Sequence, residues 1–320
     1  MKFSVIIPLY NKAPYIRKAL ESVLAQTYAD YELIIIDDGS TDGSAEIAEA
    51  ILQDPTSRLI ASSPHRLIRQ ANSGVSAARN NGVAQASGDY LAFLDADDWW
   101  EPDYLARMAE LIADYPQAGV YGCNYVYYKP GKTRVALNIP TGYINYPKAY
   151  YEGSAMPIWT GATIMPKTVL EEMGGFPLGI KLGEDFLLWA KTALHYKVAF
   201  LNEPLAYYNN DVPANMRATR NLHEPEHHML FRLDLSFGDE KLSEDWQRLL
   251  DKLRVNGLLD YWMSEAYHDS AAEELKKVDW TQQPTRVKQQ YKTPIWLLKT
   301  KRWIMCVGSY WKEKYYQLTK

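Results

Sequence analysis

The chain has 320 residues, 47% apolar and 23% charged, proportions that exclude wholesale disorder, a collagen-like repeat and a disulfide-dense scaffold. Its formal net charge is −4, unevenly placed: residues 281–320 carry nine Lys and Arg against one acid, Glu313, while the first 280 carry 26 bases and 38 acids. An acidic body with a basic tail argues against general nucleic-acid binding and for one polyanionic contact at the C-terminal end. Cys123 and Cys306 lie far apart and form no metal-ligand spacing, as expected of a reducing, cytoplasmic compartment. Phe3–Leu9 after Met1-Lys2 imitates a short signal core, but Pro8, Tyr10 and Asn11 cut it and no small-residue cleavage site follows, so no leader is expected. No run approaches the roughly 18 apolar residues of a membrane span.

In chain order, Phe3–Pro8 reads as a buried strand, a short apolar and β-branched run. Pro14 can open a helix, where its missing N–H costs nothing, and Ile16, Leu20, Val23 and Leu24 repeat at helical spacing. Leu33–Ile36 is a second buried strand ending in Asp37-Asp38-Gly39-Ser40-Thr41-Asp42; helices over about 45–52 and 75–86 follow. Tyr90–Leu94 is a third strand, closing on Asp95-Ala96-Asp97-Asp98. From Gly119 to Asn138 aromatic strands surround a Pro130-Gly131-Lys132 turn. A strand near 162–165, a helix near 184–195 and strands near 198–201 and 205–208 come next, and beyond residue 220 the pattern is largely helical. Strands without polar alternation, joined by helices, predict an α/β fold: a doubly wound, mostly parallel sheet covered on both faces. The expected organisation is an α/β domain over 1–215, divided near residue 105, then a helical region over 216–320.

In such sheets ligands bind beyond the carboxyl ends of the strands. Here each end carries polar chemistry: Tyr10-Asn11, Asp37-Asp38, and Asp95-Ala96-Asp97-Asp98. Crowded carboxylates need a cation or hydroxyl donors to offset their repulsion, and hard oxygen ligands suit Mg²⁺ or Mn²⁺ completed by substrate phosphate. Strand alternation aims Asp95 and Asp97 to one face, whereas Asp98 is expected to begin the next helix, opened by Pro102. Asp37-Asp38 alone would be an Asx-type turn; beside the Asp95 cluster it reads as ligand-facing. Arg79, about one turn into the helix that follows Asn72-Ser73-Gly74, can reach a diphosphate or a neighbouring acid. Glu184-Asp185 starts a helix after a Gly-rich stretch: one acid caps the helix, and the other is a candidate general base.

Two patterns carry less than they suggest. His223-Glu224-Pro225-Glu226-His227 matches the zinc-protease HExxH spacing, but Pro225 prevents the continuous helix that motif requires. Dinucleotide-binding Gly-x-Gly-x-x-Gly and phosphate-loop Gly-Lys-Ser/Thr patterns do not occur, which weakens dehydrogenase and ATPase readings.

Four segments together resemble the family 2 glycosyltransferases, inverting enzymes of the GT-A fold. They are Val5-Ile6-Ile7-Pro8-Leu9-Tyr10-Asn11; Ile35-Ile36-Asp37-Asp38-Gly39-Ser40-Thr41-Asp42; Asn72-Ser73-Gly74 running to Arg79-Asn80; and Phe93-Leu94-Asp95-Ala96-Asp97-Asp98. The resemblance covers roughly residues 1–210 and implies that 1–215 is a catalytic domain, with a nucleotide-binding half over 1–105 and an acceptor half over 106–215. It implies a nucleotide-sugar donor, with UDP expected, bordered by Pro8 and Tyr10 at the base. Asp38 would accept a hydrogen bond from the base, Asp95 would meet the ribose or sugar, and Asp97 (with Asp95) would hold the divalent cation, Mn²⁺ or Mg²⁺. Asp185 would be the catalytic base, with Glu184 the alternative. Arg79 would help stabilise the departing diphosphate. Many members carry an aromatic-Arg-x-His segment where this chain reads Tyr207-Tyr208-Asn209-Asn210-Asp211, so the completion of the metal site stays open; His223 is one substitute. The QxxRW signature of processive synthases is absent, which favours addition of a single sugar.

Residues 294–320 interleave Trp296, Trp303, Tyr310, Trp311, Tyr315 and Tyr316 with lysines and Arg302. Such a segment fits peripheral contact with the inner face of the cytoplasmic membrane, as a lipid-linked acceptor of surface-polysaccharide assembly would require, or packing against the catalytic domain. The acceptor is expected to be a glycan or lipid-linked hydroxyl. Two other readings use the same fold: a sugar nucleotidyltransferase, which needs a Gly-rich N-terminal loop absent from Val5–Lys12, and a catalytically silent carbohydrate- or nucleotide-binding protein.

Overall fold

A computed structural model describes residues 1–54, 64–213, 222–300 and 302. The chain forms two compact units, Met1–Trp246 and Gln247–Lys320. The strands are β1 (Phe3–Leu9), β2 (Tyr31–Asp37), β3 (His65–Arg69), β4 (Tyr90–Phe93), β5 (Trp99–Trp100), β6 (Ala118–Lys129), β7 (Lys132–Val135), β8 (Gly142–Ile144), β9 (Thr163–Pro166) and β10 (Lys197–Asn209). Helices α1 (Ile16–Leu24), α2 (Ser44–Leu52), α3 (Val75–Gln85), α4 (Tyr104–Asp114), α5 (Tyr146–Glu152), α6 (Lys167–Met173), α7 (Glu184–His195) and α8 (Asp234–Phe237) punctuate them. After these come α9 (Glu244–Gly257), α10 (Leu259–Trp262), α11 (His268–Lys276) and α12 (Thr285–Lys292).

The strands make one mostly parallel sheet in the order β3-β2-β1-β4-β9-β6-β10-β5, with β7 on β6 and β8 on β10. β3, β2, β1 and β4 run parallel, β9 is antiparallel to both β4 and β6, and β6 and β10 are again parallel. The uninterrupted apolar runs of β1 and β2 follow from burial on both faces. Helix α3 approaches the sheet closely because Gly82 has no side chain: a Cβ there would lie 2.4 Å from Ile6 Cγ2.

At the amino end of the sheet a buried polar knot holds three elements. Glu32 Oε1 accepts hydrogen bonds from Ser4 Oγ (2.7 Å), Ser87 N (2.6 Å) and Ser87 Oγ (2.7 Å), and Oε2 pairs with Arg66 at 2.6 Å. Burial alone would raise the Glu32 carboxyl. The Ser87 and Ser4 hydroxyls, the Ser87 amide and nearby Lys2 outweigh it and bring it down to about 2.

Three sequence expectations need correction. No strand was expected between residues 52 and 75, yet His65–Arg69 pairs along β2; its polar composition suits the edge of the sheet, where half of its surface meets water. The two late strands are one, β10, whose register shifts around Leu201–Ala206 because Pro204 supplies no N–H to the ladder. Asp98 does not begin the next helix, since β5 intervenes and α4 starts at Tyr104.

The first compact unit runs to Trp246. Residues 222–246 belong to it through specific contacts. Leu182 bridges to His228, Ser236 Oγ donates to the Leu187 carbonyl at 2.7 Å, and Phe237 packs on Trp246 with ring centroids 5.2 Å apart. Within the second unit, Arg254 bridges to Glu274 at 3.3 Å, and Trp262, His268, Trp280 and Tyr291 form an aromatic cluster. No helix among the described residues is long and apolar enough to cross a membrane. The expected basic, aromatic tail lies largely outside the described residues.

Candidate active site

The parallel register brings the carboxyl ends of β1, β2 and β4 together. Leu9 pairs with Asp37, Asp38 N donates to the Leu9 carbonyl at 2.8 Å, and Leu94 N donates to the Ile6 carbonyl at 3.1 Å. The loop after β1 is knitted to the loop after β2. Asn11, in the left-handed region at φ 50°, donates its amide to Ser40 Oγ (3.1 Å) and accepts from Thr41 N through Oδ1 (2.9 Å). Lys12 N donates to Ser44 Oγ at 3.0 Å. Asn tolerates this backbone because its short polar side chain bonds locally. Pro8 is half-buried in β1, and Tyr10 is exposed at the strand's mouth.

Asp38 faces inward and is 3% exposed. Its Oδ1 accepts from Gln70 Nε2 (2.7 Å) and Ser73 N (2.8 Å), and its Oδ2 accepts from Gly74 N (2.8 Å). Asp38 therefore fixes the Gln70–Gly74 loop and the start of α3, a structural duty that the sequence did not suggest. Asp37 is also buried and accepts from Ser40 N at 3.1 Å, a local turn contact, where the sequence read the pair as ligand-facing.

Beyond β4, the backbone turns at once, with Asp98 N donating to the Asp95 carbonyl at 3.0 Å. The turn separates the three aspartates. Asp98 is buried and accepts from Asn209 N at 2.8 Å, tying the turn to the end of β10. Burial and the charges of Asp97 and Asp95 push its carboxyl well up. Asp97 Oδ2 meets the Lys12 ammonium at 2.5 Å. Burial and Asp95 also raise Asp97, with Lys12 opposing them. Asp95 Oδ1 accepts from Arg79 Nη2 at 2.8 Å.

Arg79 is the central strut. Its guanidinium, 4% exposed, reaches Asp95 with one arm and Glu184 Oε1 with the other, each at 2.8 Å, and lies 5.1 Å from the Phe176 ring centroid. Burial disfavours its charge, but Asp95, Glu184 and Asp185 more than compensate and hold it protonated. Of the two partners the sequence allowed, a diphosphate or an acid, Arg79 takes acids, and two of them. It joins the turn after β4 to the N-terminus of α7.

Glu184 and Asp185 open α7, where the helix dipole favours negative charge. Gly183 precedes them at φ +83°, and a Cβ there would lie 2.3 Å from Met229 Sδ, so both conformation and space call for glycine. Glu184 is buried on Arg79; burial and Asp185 raise its carboxyl, while Arg79 opposes them. Asp185 is half-buried, its Oδ2 accepting from Thr160 Oγ1 at 2.9 Å and its Oδ1 from Phe186 N at 2.7 Å. Tyr150 lies close enough for the Asp185 charge to add to burial in pushing its phenol up. Trp159 packs near Tyr125 and Tyr208, with centroids 4.8 and 5.2 Å away, and Tyr127 meets Tyr208 at 5.6 Å.

Three partners were missed in the sequence. Lys12 was visible as a basic residue in a strand-end loop, and Thr160 stood just before the strand read near 162–165, but Asn209 acts through its backbone and carries no side-chain signal. His223 is half-buried and adds its charge against protonation of His228. The HExxH spacing is not helical: Pro225–His227 is a single 3₁₀ turn, and His227 Nδ1 lies 2.6 Å from the Gly179 carbonyl oxygen.

Solved structures share this architecture. TarS 1–349 of Staphylococcus aureus in complex with UDP-GlcNAc matches with a TM-score of 0.70 at 20% identity, over 91% of this chain and 84% of that one. The mannosyltransferase PcManGT of Pyrobaculum calidifontis in complex with GDP-Man and Mn²⁺ matches with a TM-score of 0.59 at 21% identity, over 95% and 80%. The fold is that of the GT-A glycosyltransferases. The profile of the glycosyl transferase family 2 matches residues 4–174, and the chain belongs to that family. Glycosyltransferase GlyA of Streptococcus pneumoniae serotype 4 is 36% identical over 222 residues, 65% of this chain and 30% of its own length. The uncharacterised glycosyltransferase alr2836 of Nostoc sp. is 35% identical over 223 residues, 65% of this chain and 64% of its own. The chain thus spans less than two thirds of the length of either relative.

Proposed function

We propose that this chain transfers one sugar from a nucleotide-sugar, a UDP-sugar first, to a hydroxyl of a glycan or lipid-linked acceptor, with inversion at the anomeric carbon. The observation that carries the reading is the division of labour at the start of α7. Glu184 is buried and bound to Arg79, which ties the start of α7 to the acidic turn after β4, while Asp185 is half-buried and oriented by Thr160 and Phe186 N. That TarS was solved with UDP-GlcNAc, at a higher TM-score than the GDP-Man complex, supports UDP as the first nucleotide to test.

Asp185 accepts the proton of the acceptor hydroxyl, whose oxygen attacks the anomeric carbon as the bond to the diphosphate oxygen breaks; the electron pair leaves with the nucleoside diphosphate. Asp97 and Asp95 would hold a divalent cation. Both offer carboxylate oxygens, and Asp97 already carries a cation, the Lys12 ammonium, which shows that positive charge suits this position. When bound, that ion supplies stabilisation of the charge on the departing diphosphate. Asp38 sets the loop beside the base, and Oδ2 keeps a lone pair that a base N–H can share. Tyr10 and Pro8 flank that base. Tyr127, Tyr150 and Tyr208, each partly exposed, offer rings to an acceptor sugar. The assignment to polysaccharide assembly at the cytoplasmic membrane, with residues 294–320 as the contact, belongs to this proposal.

Incubating the chain with UDP-sugars and glycan acceptors, and reading the product's anomeric configuration by NMR, tests the reading. An α-linked donor is expected to yield a β-linked product, and Asp185→Asn is expected to lower turnover by about 10²–10⁴-fold. A retained configuration, or unchanged turnover in Asp185→Asn, would overturn it.

A further inference from the structure

The cations paired with the site's carboxylates differ in setting. Arg79 is locked between Asp95 and Glu184 and nearly inaccessible, at 4% exposure. Lys12 has a fixed root and a long unbranched stem. Its amide is bound by Ser44 Oγ, its carbonyl accepts from Tyr15 N and Ile16 N, and the residue before it is pinned by Ser40 and Thr41. The four-carbon stem then carries the ammonium to Asp97 Oδ2, with both side chains 19% exposed. Asp95, Asp97 and Asp98 crowd the turn after β4, and Arg79 brings Glu184 and Asp185 at the start of α7 beside them, so a nucleoside diphosphate adds anionic charge to a region already rich in it.

We infer that Lys12 is an exchangeable cation of the donor site: it neutralises Asp97 in the donor-free chain and moves to the donor's diphosphate when a divalent cation takes Asp97. The inference rests on the donor-site reading above. A divalent ion at Asp97 and an ammonium 2.5 Å from the same carboxylate oxygen repel each other, so the ion's arrival expels the lysine. A compact, strongly hydrated ammonium on a flexible stem is suited to such a move, and the diphosphate is the anion that arrives with the ion. Lys12 thus sets the order of assembly: metal alone must compete with it, whereas metal with nucleotide gives it a new partner.

The test uses Lys12→Met and Lys12→Arg in the full chain, with folding checked by circular dichroism. Mn²⁺ affinity without nucleotide is read by EPR of the free ion, and UDP affinity at saturating Mn²⁺ by calorimetry. Lys12→Met is expected to bind Mn²⁺ several-fold more tightly, because the competitor for Asp97 is gone, and UDP about tenfold more weakly. Lys12→Arg is expected to restore UDP affinity. Either affinity unchanged in Lys12→Met would overturn the inference. Asp97→Asn separates the two levels. If it loses Mn²⁺ binding while Lys12→Met behaves as wild type, the role of Lys12 alone fails. If it binds Mn²⁺ as wild type does, the donor-site reading itself fails.

Discussion

Glu184 and Asp185 are adjacent acids with opposite surroundings, and that contrast decides which can accept a proton from a substrate. A carboxylate buried on a guanidinium at 2.8 Å is already neutralised, whereas one oriented by a hydroxyl and a backbone N–H keeps lone pairs for an incoming group. Thr160→Val should therefore lower kcat by about 10–100-fold through misorientation of Asp185, with UDP affinity unchanged by calorimetry. Arg79→Met should destabilise the fold by about 3–5 kcal/mol in urea unfolding, because it strands Asp95 and Glu184 without their counter-charge. The types and spacing of these acids were legible in the sequence. Which acid faces Arg79 was not, since Arg79 and Glu184 lie 105 residues apart in the chain.

At the scale of elements, the site depends on where strands end and helices begin. Gly183 sets the entry to α7, and Gly183→Ala should cost about 1–2 kcal/mol from the left-handed backbone and tilt the helix start that carries Asp185. At the opposite end of the sheet, Glu32 binds β1, β2 and the α3–β4 connection. Its folded-state carboxyl lies at about 2, below the ordinary 4.5, so its stabilisation is present in full above about pH 4.5 and is lost as pH falls through about 2. Glu32→Gln should remove that part of the acid dependence, as seen in melts across that range. The strands β1, β2 and β4 were legible because continuous apolar runs bounded by turn residues admit few alternatives. The edge strand β3 and the single long β10 were not: pairing partners, rather than local pattern, made them strands.

Across the whole molecule, all the proposed donor and base residues lie in the Met1–Trp246 unit. UDP with Mn²⁺ at a hundred times its Kd should stabilise that unit by about 2.7 kcal/mol, and calorimetric scans should show the shift in wild type and its loss in Asp97→Asn. The same unit carries a second acid-sensitive contact at His228, buried beside Leu182. Burial, with His223 nearby, lowers its imidazole to about 4 from 6.5, so its contribution is complete above about pH 6.5 and fades as pH falls towards 4. His228→Gln should flatten stability against pH over that window.

The sequence by itself determined the parallel α/β class, the strand-end aspartates and the family, because these follow from local apolar runs and short motifs. Only the tertiary structure decided that Arg79 is a strut between two acids, that Asp38 holds a loop and that Lys12 occupies Asp97. Each joins loops or helix starts that follow different strands and lie far apart in sequence, and their meeting is set by sheet order and register rather than by neighbouring residues.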